Sequence, residues 1–294
     1  MVLKLLGKVA TLAVVSLAFT AAQAATTSIS SGDVKASIND AGTFSSSYET
    51  PPTPSGSPGL SYKGVEFVNI DNPSSWYYLS SSAGPFIAQY GSNPLGASTT
   101  GIGGIIATSY NGDLSFLQQA SITAPNQLSV SVTLHNSGST AITGVKWGVG
   151  FDPDQGGSGN NTTLNTILGQ GAFAAVNAYD SLYGTGMGVT LANTTTAAAY
   201  TIAAYINSGV CCSAVDPAVA LGAGQLAGFS TLADDSVSLA YDIGDMAVNQ
   251  SVTFGYSYTF AGPVPEPEIY AMMAAGLGMM GFVARRRKGQ AAAA

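Results

Sequence analysis

The fold is decided by the stretch LSVSVTLHNSGSTAITGVKWGVGF, residues 128–151. Apolar Leu or Val alternates with Ser or Thr up to Leu134, and apolar residues alternate again from Val145 to Phe151. Successive side chains of a β-strand point to opposite faces, so each run has one apolar face. Residues 136–138, Asn-Ser-Gly, lie between the runs and are turn formers. The stretch therefore predicts two half-buried strands joined by a turn.

The same pattern recurs along the chain. Residues 252–260 alternate as VTFGYSYTF, and Asn111-Gly112 carries a hairpin signal. Less regular β-like runs lie at residues 65–70, 105–110, 187–191, 199–206 and 237–243. No long run with the 3.6-residue period of a helix occurs in the sequence between residues 25 and 262. Short strands separated by Gly, Ser and Asn turns predict an all-β fold, a sandwich or a barrel.

The size of the β region bears on its division into domains. Residues 128–155 resemble the strand, Asn-x-Gly turn and strand of bacterial surface immunoglobulin-like and related sandwich modules. The resemblance implies a β-sandwich and specifies no ligand. Residues 25–262 contain no clear repeat, which favours one large β-sandwich, up to the extended supersandwich type. Two smaller sandwiches with a break near Pro125 are the alternative.

The N-terminus has the order of a secretory signal. Lys4 and Lys8 precede an uncharged, mostly apolar run, and Ala22 and Ala24 form a small-x-small cleavage site. We therefore predict a signal peptide at residues 1–24. It would direct export of the chain through the Sec translocon and be removed by signal peptidase.

The C-terminus carries an uncharged run at residues 269–284, followed by Arg285, Arg286, Arg287 and Lys288. As a helix the run would span about 24 Å, somewhat less than a hydrocarbon core of about 30 Å. Long basic side chains can reach the interface from such a helix, and basic residues are retained on the cytoplasmic side. The run therefore predicts one transmembrane helix, with the body outside and the tail inside.

Pro265, Glu266 and Pro267 precede this helix and complete a three-part pattern. Pro-Glu-Pro, an apolar helix and a basic block resemble the PEP-CTERM sorting signal, here at residues 263–288. The resemblance implies recognition by exosortase, a membrane-embedded cysteine transpeptidase-like enzyme of Gram-negative bacteria that make exopolysaccharide. It also implies an inner-membrane intermediate and a final place on the outer surface or in the extracellular matrix. The prolines keep the motif extended, and Glu266 is then a recognition residue.

The charge of the body excludes one class of partner. Residues 25–262 contain Lys35, Lys63 and Lys146 as their only basic residues against 14 acidic ones, a net charge of −11. Such an acidic chain without a basic patch should bind neither nucleic acid nor an anionic membrane surface.

One loop has the composition of a calcium site. Asp152, Asp154 and Asn160 supply oxygen atoms in a glycine-rich stretch, as calcium accepts. The loop is not an EF-hand, because Gly156 and Thr163 stand at its fifth and twelfth positions. An Asp-rich turn stabilised by its own hydrogen bonds is the alternative.

Cys211 and Cys212 are the two cysteines and are adjacent. In an oxidising compartment they favour a vicinal disulfide, with an intermolecular bond or two free thiols as alternatives. The C-x-x-C spacing of redox enzymes is absent from the sequence.

Catalytic patterns in the sequence are weak. His135 is the single histidine and falls on the polar side of its strand, which leaves no multi-histidine metal site. Asp234-Asp235 and the pair Asp242 and Asp245 could serve a glycosidase only if the fold brings carboxylates together. We assign no catalytic residue and predict that the protein is not an enzyme.

The function follows from these signals. We predict an exported surface or matrix protein, an exosortase substrate with a structural or adhesive role in exopolysaccharide or biofilm. A carbohydrate-binding or carbohydrate-active protein is the alternative, with aromatic residues stacking on sugar rings or else packing in the core. These aromatic residues are Trp76, Tyr77, Tyr78, Tyr256 and Tyr258. A third possibility is a surface protein that stays anchored without processing.

Overall fold

The fold is all-β, as predicted. The computed structural model describes residues 27–39, 41–44, 59–68, 75–89, 96–156, 161–196, 200–263, 275–277 and 279–280. Eighteen strands in these residues form three sheets, and every pair of neighbouring strands is antiparallel.

The strands are numbered along the chain and divide among sheets of four, nine and five strands. The four-stranded sheet has the order β1 (Thr27–Ser31), β2 (Val34–Ile38), β3 (Leu60–Tyr62) and β4 (Val65–Glu66). The nine-stranded sheet has the order β16 (Ser230–Ala233), β12 (Thr163–Gly169), β13 (Ala175–Tyr179), β14 (Gly188–Asn193), β18 (Ser251–Ala261), β10 (Gln127–Asn136), β9 (Leu114–Ala124), β8 (Ile105–Tyr110) and β7 (Ser98–Ile102). The five-stranded sheet has the order β15 (Thr201–Asn207), β17 (Ser236–Met246), β11 (Ile142–Phe151), β5 (Ser75–Ser80) and β6 (Phe86–Gln89).

The two strands of the opening stretch do not pair with each other. β10 lies in the nine-stranded sheet between β18 and β9, whereas β11 lies in the five-stranded sheet between β17 and β5. The turn between β10 and β11 therefore carries the chain from one sheet to the other. Each strand still buries its apolar side chains, as the alternation predicts.

The two larger sheets pack face to face, and Trp147 on β11 shows how. Its ring stacks on Tyr77 of its own sheet with centroids 5.0 Å apart. It also meets Phe116 and Phe254 of the nine-stranded sheet edge-on, at 5.8 and 6.0 Å. Trp147 is completely buried. The arrangement is a β-sandwich, with an aromatic core between its layers.

Pro125 does not separate two sandwiches. It lies between β9 and β10, which pair along their lengths within one sheet. Most buried apolar residues, from Val34 to Phe260, form one contiguous cluster, and a smaller second cluster lies under α1 (Pro217–Gly222) with Trp76, Val215, Ala220 and Ala240.

Two elements depart from the sequence pattern. The predicted strand at residues 65–70 stops at Glu66, because the Glu66 carboxylate accepts hydrogen bonds from the backbone N–H groups of Leu60 and Val68 and bends the chain.

A short helix, α1 (Pro217–Gly222), was not predicted. The side chain of Asp216 caps it by accepting from Ala218 N–H at 2.8 Å. A single 3₁₀ turn spans Gly171–Phe173.

Several predicted segments lie outside the described residues. These are the signal peptide with Ala22 and Ala24, the Pro265-Glu266-Pro267 triplet and the basic block from Arg285 to Lys288. Of the predicted transmembrane run, residues 275–277 and 279–280 are described, and they are helical. Within the described part of the chain, no helix combines the length and apolar character needed to cross a membrane.

Asp180 organises the connection between β13 and β14. Its carboxylate accepts hydrogen bonds from the backbone N–H groups of Leu182, Tyr183 and Thr185 and from the Thr185 hydroxyl. Burial acts to raise the pKa of Asp180, but these hydrogen bonds outweigh it and hold the pKa below its ordinary value.

We expect Asp180→Ala to lower the free energy of unfolding by about 3 kcal/mol, because hydrogen bonds to a charged group are strong and their donors would be left unpaired. Urea denaturation of the full-length chain in mild detergent measures the loss. Asp113→Ala is the control, since Asp113 is exposed in the turn before β9. An equally small effect for both variants would contradict the role assigned to Asp180.

Candidate functional site

Three connections meet at one end of the sandwich: the loop after β11, the crossover from β16 to β17, and the loop after β15 that carries the cysteines. The first two bring acidic residues together. Phe151, the last residue of β11, pairs with Val237 near the start of β17. Continuing this register past the strand ends brings residues 152–154 beside residues 234–236. Asp234 and Asp235 form the crossover from β16 in one sheet to β17 in the other. We use "acidic cluster" for Asp152, Asp154, Gln155, Asn161, Asp234 and Asp235.

Most of the acidic cluster is buried. Asp152 and Asp235 are each 1% exposed, Asp154 is 2% exposed and Gln155 is completely enclosed. The backbone holds it in place: Asp154 N–H donates to the Phe67 carbonyl at 2.8 Å. One Asp235 oxygen, Oδ1, accepts from Gly209 N–H at 2.6 Å.

Several of these buried polar atoms have no hydrogen-bond partner within the described part of the chain. They are Oδ1 of Asp152, both amide atoms of Gln155, Oδ1 of Asn161, Oδ1 of Asp234 and Oδ2 of Asp235. Native proteins pair nearly all buried polar atoms, so a concentration of unpaired oxygens in one place requires an explanation.

The carboxyl groups of the acidic cluster repel one another. Burial raises the pKa of Asp152 to about 7, and the nearby charges of Asp234 and Asp235 contribute to the rise. The pKa of Asp234 is also raised, by burial and then by Asp235. Burial and the neighbouring carboxylates both make ionisation unfavourable. When the carboxyl groups are ionised, their negative charges therefore repel one another in a poorly solvated place.

Cys211 and Cys212 form a disulfide bond with each other beside this site. Sγ of Cys212 lies 3.4 Å from Oδ2 of Asp152. A disulfide sulfur carries no proton, so only a protonated Asp152 could form a hydrogen bond here, as the donor. The sulfurs are not thiolates and therefore are not metal ligands in this state. The cysteine loop is held to β17, because Ser236 N–H donates to the Val210 carbonyl at 3.1 Å.

The structure separates the predicted site residues into two groups. Asp152 and Asp154 lie together, whereas Asn160 falls outside the described residues. Asp234 and Asp235 join them. In the sequence these two residues stood out only as an adjacent acidic pair before a strand, and nothing there indicated that they would lie near Asp152. Asp242 and Asp245 lie toward the other end of β17, where Asp245 accepts from Gly144 N–H at 2.9 Å.

The remaining candidates are accounted for by packing or by the surface. His135 is half-buried at the sheet surface, and its Nδ1 shares a hydrogen bond of 2.9 Å with the Ser251 hydroxyl. The aromatic residues Trp76, Tyr77, Tyr256 and Tyr258 are buried and cannot stack on a sugar, whereas Tyr78 is half-buried.

The outer face of the nine-stranded sheet carries a second candidate surface, a hydroxyl-lined groove of about 510 Å³. Its polar lining comprises Gln119, Ser121, Ser129, Ser131, Thr194, Thr195, Thr196 and Thr253. A neighbouring groove shares Ile105 and Ser121 with it and continues over Ser28, Ser30 and Ser31. The alternating Ser and Thr of β10 were the sequence signal for this polar face.

The comparisons with known proteins concern the C-terminus and the β body separately. Residues 263–288 match the family described as the PEP-CTERM protein-sorting motif, which confirms the resemblance found in the sequence. A comparison with curated proteins gave no match.

Solved structures similar to the body include two sugar-epimerase homologues and a lyase. The GalM/aldose epimerase homologue from C. elegans is 8% identical with a TM-score of 0.47, over 82% of this chain and 100% of that one. A putative aldose 1-epimerase from Escherichia coli K12 is 10% identical with a TM-score of 0.40, over 81% and 99%. A polysaccharide lyase is 12% identical with a TM-score of 0.37, over 84% of this chain. The chain spans 34% of the length of that lyase. At these identities and TM-scores we draw no functional conclusion from the likenesses.

Proposed function

We propose that the protein is an exported β-sandwich delivered by exosortase to the outer surface or the extracellular matrix, through an inner-membrane intermediate. The match of residues 263–288 to the PEP-CTERM sorting motif carries this proposal. The motif implies exosortase-dependent sorting, and the predicted signal peptide would start the same route through the Sec translocon and signal peptidase.

Localisation and the identity of the mature C-terminus test the sorting. Cells with exosortase should yield protein that has lost the C-terminal apolar run, as read by mass spectrometry. Cells without exosortase should retain in the inner membrane a form that keeps the apolar run and the basic block at residues 269–288. The same uncleaved form in the inner membrane of exosortase-positive cells would defeat the proposal and favour a permanently anchored protein.

Glu266→Ala should lower the processed fraction by about tenfold, equivalent to about 1.4 kcal/mol of lost recognition. Glu268→Ala is the matched control, since it removes the same charge at the residue immediately after the Pro-Glu-Pro triplet. Equal processing of both variants would show that Glu266 is not a recognition residue.

We propose that the sandwich has a structural or adhesive role in exopolysaccharide or biofilm. The hydroxyl-lined groove supports this role, because its Ser, Thr and Gln side chains can exchange hydrogen bonds with a hydroxyl-rich polymer. The acidic body should not bind nucleic acids, because their phosphate groups carry the same negative charge.

A carbohydrate-binding protein is the second candidate function. The hydroxyl-lined groove is the surface we expect to bind the sugar, because most of the aromatic residues considered for stacking are buried. A glycan array probed with the full-length chain in detergent should show selective binding. Ser131→Arg should abolish that binding by filling the groove, while Leu168→Arg, at an exposed position on β12 of the same sheet and outside the groove lining, should leave it intact. Binding that survives Ser131→Arg would exclude the groove.

A further inference from the structure

We propose that the acidic cluster binds a calcium ion, with oxygens of Asp152, Asp154, Gln155, Asp234 and Asp235 as its ligands. Asp152 and Asp154 are the part of this set that the sequence indicated. The partners from the crossover between β16 and β17 are supplied by the fold.

The first support is the burial of oxygen atoms that lack partners. Oδ1 of Asp152 and Oδ2 of Asp235 have no hydrogen-bond partner among the described residues, although each residue is 1% exposed. Gln155 is enclosed and its Oε1 is also unpaired. Leaving such atoms away from water costs free energy unless a hydrogen bond or a cation satisfies them.

The second support is the charge balance of the region. The body has three lysines, and two of them have contacts elsewhere. Lys146 Nζ donates to the Gly144 carbonyl, and Lys63 Nζ lies over the Tyr62 ring. Lys35 lies on β2, opposite Ser30 and Ser61 in the four-stranded sheet. A bound divalent cation would offset the repulsion among the carboxylates of the acidic cluster.

The donor chemistry selects calcium among common cations. The acidic cluster offers carboxylate and amide oxygens, which suit hard cations. Its neighbouring sulfurs are joined in a disulfide, and the single histidine lies on β10. Calcium accepts six to eight oxygens in a flexible geometry, whereas magnesium demands a near-ideal octahedron and keeps several waters.

Calcium binding must draw the side chains inward. Within the described residues, the one group of three acidic, cysteine or histidine side chains whose ligand atoms all lie within 4.8 Å is Asp152, Cys211 and Cys212. The carboxylate oxygens of the acidic cluster therefore do not converge on one point before calcium binds. Asp234 is the least buried of the four aspartates, so we expect its side chain to move most on binding. The ion would then tie together the loop after β11 and the crossover before β17.

Calcium titration of the full-length chain in mild detergent tests the proposal. We expect a dissociation constant of about 10⁻⁴–10⁻³ M, the range of extracellular calcium modules. At 10 mM calcium, roughly ten or more times that constant, Tm should rise by about 3–10 °C. The same concentration of magnesium should give a much smaller shift. Equal shifts with the two ions, or none with calcium, would overturn the proposal.

Two variants separate a built site from general charge screening. Asp152→Asn should weaken calcium binding by at least about tenfold. Asp113→Asn removes one exposed charge at another place and should leave binding unchanged. If Asp152→Asn does not fold, Asp234→Asn replaces it, because that side chain is less buried. Wild-type affinity in an Asp234→Asn or Asp152→Asn protein would refute the assignment. Sorting by exosortase is read independently from the mature C-terminus, so failure here leaves the proposed function standing.

Discussion

Trp147→Ala should lower the free energy of unfolding of the chain by about 4 kcal/mol, in the range expected when a large buried aromatic side chain is truncated. Trp147 is completely buried and contacts rings from both layers of the sandwich. Truncation removes its apolar surface from the core and leaves a cavity between Tyr77, Phe116 and Phe254. Urea denaturation of the full-length chain, followed by far-ultraviolet circular dichroism, measures the loss.

Two further variants make this prediction specific. Phe173→Ala should change stability by less than about 0.5 kcal/mol, because Phe173 is 85% exposed. Trp147→Phe should cost less than Trp147→Ala, because it keeps a ring in the core and removes an indole N–H that has no hydrogen-bond partner among the described residues. Similar losses for Trp147→Ala and Phe173→Ala would mean that the two sheets are not held together at Trp147.

The local structure of the sandwich could be predicted, but the assignment of strands to sheets could not. Alternation in residues 128–134 and 145–151 indicates the faces of β10 and β11 correctly. It does not indicate that the two strands belong to opposite layers. That assignment depends on ladders with β18 and β17, which lie more than 80 residues away along the chain. Nothing in a two-residue period encodes such partners.

The acidic cluster shows the same division at the level of the site. Asp152 and Asp154 were recognisable because oxygen donors stand close together in one glycine-rich loop. Asp234 and Asp235 belong to another loop and meet them only because β11 and β17 are neighbours. The Cys211–Cys212 disulfide reaches the same place through the connection after β15. Each component was visible in the sequence, but their proximity is a product of tertiary pairing.

The aromatic residues were ambiguous for a different reason. Tyr256 and Tyr258 alternate along β18, so the sequence placed them on one face without specifying which face is covered. Both are buried, and Tyr258 packs edge-on against Phe44, in the segment after β2, and against Phe151 of the five-stranded sheet. The face that remains open carries hydroxyl groups instead. A glycan would therefore meet hydrogen-bonding side chains rather than a stacking platform.

The stability of the calcium-free chain should fall by about 3 kcal/mol between pH 5 and pH 8 because of Asp152. Burial, followed by Asp234 and Asp235, raises its folded-state pKa from 3.8 to about 7. Folding therefore takes up a proton between these values. The contribution of this group is fully present below pH 3.8 and is lost as the pH rises through 7.

Urea denaturation at pH 5, 6, 7 and 8 in the presence of a calcium chelator measures this dependence. Asp152→Asn should flatten it, since the amide does not ionise, whereas Asp113→Asn should retain the wild-type slope. Calcium should restore stability at pH 8 by favouring the ionised carboxylates, and it should do little for Asp152→Asn. A wild-type slope in Asp152→Asn would assign the pH dependence to another group. Because metal binding and deprotonation draw on the same carboxyl, the two measurements together report whether the acidic cluster is a single coupled site.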